Sequence, residues 1–130
     1  MKDIDFLLNK AREVITNSYS IYSEFKVGCA ILLDDNNVIC GTNIENCSYS
    51  LSMCAERIAL YNAYSQGYKK ENIKSILVYA DTDNISCCGA CRQVIVELMK
   101  EDANVYLSNG KSLKTLKVKD LLSDAFMLKR

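Results

Sequence analysis

Histidine is absent from the 130-residue chain, and so are proline and tryptophan. Histidine is the one side chain whose ordinary pKa lies close to neutrality. Without it, proton transfer and metal ligation fall to carboxylates and thiols. An excess of either charge is also missing, since 16 Lys and Arg balance 16 Asp and Glu. Nothing in that balance can neutralise a phosphate backbone, so no nucleic-acid partner is expected. No apolar run reaches the ~18 residues of a membrane span. The first twenty residues carry Lys2, Asp3, Asp5, Lys10, Arg12 and Glu13, unlike an export signal. The expectation is a cytoplasmic protein with no membrane partner.

Apolar residues make up 49% of the chain and charged residues 25%, an ordinary globular balance that excludes global disorder. The length suits a single domain over residues 1–130, able to bury roughly two-thirds of its surface without disulfides. Cysteine is the abundant functional residue: Cys29, Cys40, Cys47, Cys54, Cys87, Cys88 and Cys91. An odd number without an export signal argues against a disulfide framework and for reduced thiols, some of them on a metal. Cys29 and Cys40 lie within apolar runs and read as small core hydrophobes.

Ile4, Leu7, Leu8, Ala11, Val14 and Ile15 follow helical spacing over about 3–17. Two apolar runs, 27–33 and 38–44, flank the turn cluster Asp34-Asp35-Asn36-Asn37 and predict a β-hairpin. Ser50 and Ser52 offer N-caps for a helix over about 53–66 that stops at Gly67. A strand over 73–80, a polar loop over 81–86 and a helix from Cys88 or Gly89 to Met99 follow. Val105–Leu107 reads as a strand, Asn109-Gly110 as a turn, and Leu113, Leu116 and Val118 as a further strand antiparallel to it. A final helical turn or two is expected from Asp120. The order implies an α/β fold, a three-layer α/β/α sandwich around a mixed sheet of about five strands.

The chemistry concentrates in Met53-Cys54-Ala55-Glu56-Arg57 and Cys87-Cys88-Gly89-Ala90-Cys91-Arg92, which both open predicted helices. Cys88 and Cys91 share a helical face. Two adjacent helix N-termini would aim three thiols at one point, with dipole ends that favour thiolates. Three thiolates suit zinc and leave a fourth position for water. Glu56 is close enough in sequence to handle that water's protons. On a regular helix, however, positions i and i+2 point about 200° apart, so spacing alone does not bring Glu56 to the metal. Arg57, at i+3 from Cys54, can donate to a thiolate and partly neutralise the ligand set; the alternative is a surface salt bridge. Other readings stay open. Cys87 could close a structural zinc site, Cys88-Gly-Ala-Cys91 could be a redox pair, and Glu56 could be a plain first-turn acid.

Four ordered motifs closely resemble the small homotetrameric cytidine deaminases: Tyr22-Ser23-Glu24-Phe25-Lys26-Val27-Gly28, Asn43-Ile44-Glu45-Asn46 with Ser48-Tyr49, Cys54-Ala55-Glu56-Arg57, and Cys88-Gly89-Ala90-Cys91-Arg92-Gln93-Val94. The resemblance implies one zinc per chain on Cys54, Cys88 and Cys91, with a zinc-activated water attacking C4 of cytosine and Glu56 moving the protons. It implies cytidine and deoxycytidine as substrates in pyrimidine salvage. Phe25, Asn43, Glu45 and Ala55 would line the nucleoside site, with Asn43 and Glu45 on the ribose. Tyr49 and Phe126 match positions that reach a neighbouring subunit's site in a homotetramer. Packing is the competing role for Phe25 and Phe126, and a surface turn for Asn43 and Glu45. Cys87 stands where the family usually has Pro, which frees a backbone N–H and loosens φ before the ligand helix. Ile21 stands where a second family Pro precedes Tyr-Ser. The alternatives are a blasticidin-type deaminase on the same scaffold and, from another class, a structural zinc or redox module.

Overall fold

The computed structural model describes residues 2–128. Its central strands are apolar on both faces. In β1 (Gly28–Leu33) every residue is buried. Cys29, Ile31 and Leu33 face one core cluster, while Ala30 and Leu32 face another. A strand covered on both sides reads as this unbroken apolar run rather than as an alternation. β3 (Ile73–Tyr79) divides likewise, with Ile76 and Val78 on the first side and Leu77 on the second.

With β2 (Val38–Thr42), β4 (Asn104–Ser108) and β5 (Leu113–Lys117), the sheet order is β2-β1-β3-β4-β5. β3 and β4 are parallel, and the other neighbours are antiparallel. The expected hairpin closes at the Asp34–Asn37 turn, where Asn36 takes φ 70° and Asp35 Oδ1 accepts from the Asn37 N–H at 3.0 Å. Gly110, at φ 89°, makes the β4–β5 turn, a conformation that favours glycine.

α1 (Lys2–Val14) covers one face through Leu7 and Ala11, with Asp3 and Asp5 in its first turn and Arg12 in its last, as the helix dipole prefers. α2 (Ala55–Ser65) and α3 (Gly89–Leu98) cover the other face through Ala55, Ala59, Leu60, Ala63, Cys91 and Ile95. The result is the expected α/β/α sandwich. α2 ends in a glycine motif: Gly67 at φ 99° donates to the Tyr64 carbonyl and Tyr68 to the Ala63 carbonyl.

Two local expectations are corrected. Neither Ser50 nor Ser52 caps α2: Ser50 lies in a 3₁₀ turn (Tyr49–Leu51), and Ser52 Oγ accepts from the Asn46 N–H at 3.0 Å. The cap is Cys54. The final helix from Asp120 does not form either. A 3₁₀ turn (Val118–Asp120) gives way to irregular chain in which Asp124 takes φ 50°. Residues 123–128 are mostly exposed, so no packing offsets the cost of nucleating so short a helix.

The register decides where chemistry can happen. Thr42 pairs with Gly28, Gly28 with Tyr79 and Tyr79 with Ser108, so β2 and β3 end in one row. The chain leaves both strands at that edge and enters α2 and α3 there. The two helix N-termini therefore open side by side.

Candidate active site

Cys54 and Cys88 are the N-cap residues of α2 and α3, both in extended backbone, and Cys91 sits in the first turn of α3. The Cys54 and Cys88 sulfurs are 3.7 Å apart, and all three Sγ atoms lie within 4.8 Å of one another. Zinc–sulfur bonds of about 2.3 Å in tetrahedral geometry separate the sulfurs by roughly 3.8 Å, so this trio fits zinc. Cys91 is buried and Cys88 exposed, which leaves one side of the trio facing outward.

Hydrogen bonds already stabilise negative charge here. The Cys91 N–H donates to Cys88 Sγ at 3.4 Å, and Arg57 Nη2 donates to Cys54 Sγ at 3.4 Å. The Cys91 thiol, with Arg57 and Cys88, holds Cys54 down to about 5 against the opposing effect of burial. The same contact with Cys54, together with burial, pushes Cys91 well up. Burial alone would lower the Arg57 pKa, but the Cys54 and Cys91 sulfurs outweigh it and push it above its ordinary value.

Cys87 does not join the trio. It is buried, beside the Glu56 carboxyl. Burial first, then the neighbouring carboxylate, pushes this thiol far up. Its exclusion rests on geometry, since only Cys54, Cys88 and Cys91 converge on one point.

Glu56 is 4% exposed, in the first turn of α2, and lines the same cavity as Cys54 and Cys88. The geometric objection of i and i+2 spacing disappears because Cys54 is a cap rather than a helical residue. Burial raises the Glu56 pKa above the ordinary carboxylate value.

The cavity holds about 420 Å³, the size of a small-molecule site. Phe25, Asn43, Glu45 and Ala55 line it. Asn43 is buried and braces one wall. Its Oδ1 accepts from Ser18 Oγ at 2.6 Å and from the Val27 N–H at 2.9 Å, and its Nδ2 donates to the Phe25 carbonyl at 2.7 Å. One Nδ2 hydrogen is left over. Glu45 Oε1 accepts from the N–H groups of Tyr22 at 3.0 Å and Ser23 at 3.1 Å, and Oε2 accepts from Ser23 Oγ. Those donors, the Ser23 hydroxyl foremost, hold Glu45 below its ordinary value.

Tyr49 and Phe126 are not brought into this cavity. Tyr49 is 76% exposed and packs edge-on to Tyr22 with ring centroids 6.2 Å apart, beside a shallower pocket that shares Ser23, Glu45 and Ser52. Phe126 is 69% exposed, and its carbonyl accepts from Gln93 Nε2 at 2.8 Å. Sequence reasoning missed the roles of Ser23, which donates to Glu45, and of Thr82, Asn84 and Ser86, which also line the cavity. The polar loop over 81–86 was the only available signal for the last three.

Three protein sulfurs leave one tetrahedral position for a non-protein ligand, the pattern of catalytic rather than structural zinc. Comparison with known proteins narrows that class. Residues 1–107 match the family model described as the cytidine and deoxycytidylate deaminase zinc-binding region, and the chain belongs to that family. A cytidine deaminase of Halalkalibacterium halodurans is 44% identical over 126 residues, covering 95% of this chain and 94% of its own. One from Sporosarcina psychrophila is 40% identical over 126 residues, covering 95% and 91%. The crystal structure of the cytidine deaminase from Burkholderia pseudomallei superposes with a TM-score of 0.88 at 40% identity, over 94% of this chain and 98% of that one.

Proposed function

We propose that this chain hydrolyses free cytidine and deoxycytidine to uridine and deoxyuridine, releasing ammonia, with Glu56 as the proton carrier. The observation that carries the reading is a buried carboxyl sharing one cavity with a three-thiol zinc site. Zinc held by Cys54, Cys88 and Cys91 supplies Lewis acidity that makes water a nucleophile near neutral pH.

The protein's own groups do the rest. Glu56 accepts the proton that water loses on adding to C4 of the ring. It passes that proton to ring N3 and then carries a second one from the new C4 hydroxyl to the departing amine, leaving the C4 carbonyl, so it ends each cycle as it began. Its raised pKa suits both directions of transfer. Phe25 gives the base or sugar an apolar wall. Glu45, held ionised, accepts from a ribose hydroxyl, and the remaining Asn43 Nδ2 hydrogen donates to one.

The charge on Glu45 also supports a nucleoside rather than a nucleotide. A 5′-phosphate about 6 Å away would be repelled by roughly 3 kcal/mol at an effective dielectric near 20, about a hundredfold in binding. A homotetramer accompanies this reading. Tyr49 and Phe126, exposed and outside their own cavity, would complete those of neighbouring subunits.

Ammonia release from cytidine and from CMP at equal concentration, with and without a chelator, tests the assignment. The expected result is release from cytidine, lost with the chelator and restored by zinc, and about a hundredfold less from CMP. Comparable rates on the two would overturn the nucleoside reading. Release from neither would favour a structural zinc or redox module.

A further inference from the structure

Arg92 lies one turn beyond Cys88 on α3, and it does not line the cavity. Its guanidinium is committed to three neutral acceptors. Nε donates to the Cys87 carbonyl at 2.9 Å, Nη2 to Ser86 Oγ at 2.6 Å, and Nη1 to the Leu121 carbonyl at 2.9 Å. No carboxylate pairs with it among the described residues. Its charge does not serve the helix either, because a cation near an N-terminus opposes the dipole. What the site uses is the planar fork, which a lysine cannot reproduce.

The three acceptors come from two segments. Leu121 is 3% exposed and belongs to the core, so its carbonyl is a fixed point. Ser86 and Cys87 are the last two residues before the cap and ligand Cys88. Residue 87 has no ring to restrict φ, and among the described residues its N–H donates no hydrogen bond. The Cys87 side chain is held by core packing, but its carbonyl and the Ser86 hydroxyl are held by Arg92. The fork ties the peptide that leads into Cys88 to the fixed Leu121 carbonyl.

We propose that Arg92 is a positioning residue for the zinc site: its fork holds the Ser86–Cys87 backbone and so sets where the Cys88 sulfur lies. The inference rests on the reading that Cys54, Cys88 and Cys91 hold zinc. Partners that orient metal ligands in this way typically change metal affinity by about 10- to 100-fold when removed.

The test measures zinc affinity by competition with a chromogenic chelator, alongside the melting temperature of the metal-free chain. The variants are Arg92→Ala, Arg92→Lys, and Arg92→Ala combined with Cys87→Pro. Both single variants are expected to bind zinc about 10- to 100-fold more weakly. The double variant should recover most of that loss, because the proline ring fixes φ at residue 87 by a different means. A merely structural role would lower the metal-free melting temperature in all three and leave zinc affinity alone. Affinity within about threefold of wild type in Arg92→Lys, well short of the usual loss, overturns the proposal, as does a double variant with no recovery. Cys88→Ala separates the underlying reading. If that variant binds zinc as tightly as wild type, the ligand assignment fails, and the inference with it.

Discussion

Glu56 and Glu45 stand on one cavity and are pushed in opposite directions. Glu56 is buried and lifted toward neutrality, whereas Glu45 is surrounded by donors and held ionised. One is thus fitted to exchange a proton and the other to accept hydrogen bonds. Glu56→Gln keeps the shape and removes the transfer. Its kcat should fall by about 10²–10⁴-fold. Its zinc content by atomic absorption should be unchanged, since Glu56 is not among the three converging groups. Undiminished turnover in a zinc-loaded variant would refute the role. For Glu45, folding favours the charged form, so its contribution to stability is fully present above the ordinary value of 4.5. That contribution is lost as pH falls through the depressed folded value. Glu45→Gln should lower the denaturation midpoint at neutral pH, and the gap from wild type should close in acid. A gap independent of pH would mean that the charge on Glu45 contributes nothing to stability. At this scale the thiols were legible because Cys54-Ala55-Glu56 and Cys88-x-x-Cys91 are compact motifs that each open a predicted helix, although 34 residues separate Cys54 from Cys88. Ser23 was not, because its partner lies 22 residues away and only the fold brings them together.

Helices and strands bring the cysteines to one point, and their own fit controls how well. α2 approaches β2 closely through its small residues Ala55 and Ala59. A Cβ added at Gly41 would lie 2.5 Å from the Ala59 nitrogen and 2.6 Å from the Ala55 oxygen, both backbone atoms that cannot swing aside. Gly41→Ala must therefore push α2 off the sheet, carrying Cys54 and Glu56 away from Cys88. The expected cost is about 1–3 kcal/mol of stability, the usual range for overpacking, with weaker zinc binding. Chemical denaturation and chelator competition measure the two. An unperturbed variant would show that α2 has more freedom than this contact allows. The strands could be read from apolar runs, α1 from its helical spacing, and both turns from the Asp-Asn and Asn-Gly clusters. The start of α2 could not. Serine is a better cap by propensity, but the Ile44–Met53 bridge and the Asn46–Ser52 hydrogen bond commit residues 46–53 to another shape. That same override moved Cys54 into the cap and brought Glu56 to the metal side, which helical geometry alone had counted against.

The whole molecule leaves a large amount of apolar surface uncovered. Ile21, Tyr22, Tyr49, Leu51, Phe126, Met127 and Leu128 are each at least 45% exposed. Isolated exposed apolar residues are ordinary, whereas several near a cavity and along the chain's last described segment are what the proposed contact between subunits would cover. Among the described residues, the last core side chain is Leu121. Removing the chain from Asp124 onward therefore takes away Phe126 and its neighbours, and among the described residues it takes no core side chain. If Phe126 completes a neighbouring subunit's site, the truncated chain should keep its zinc and its fold, dissociate toward smaller species in sedimentation, and bind cytidine more weakly. The weaker binding would appear as a raised KM with kcat less affected, because Glu56 and the three thiols are untouched. Tyr49→Ala should reproduce the change in KM if both rings serve one shared site. A truncated chain that is monomeric and fully active would mean that each cavity is sufficient by itself, and that the exposed aromatic surface serves something other than catalysis.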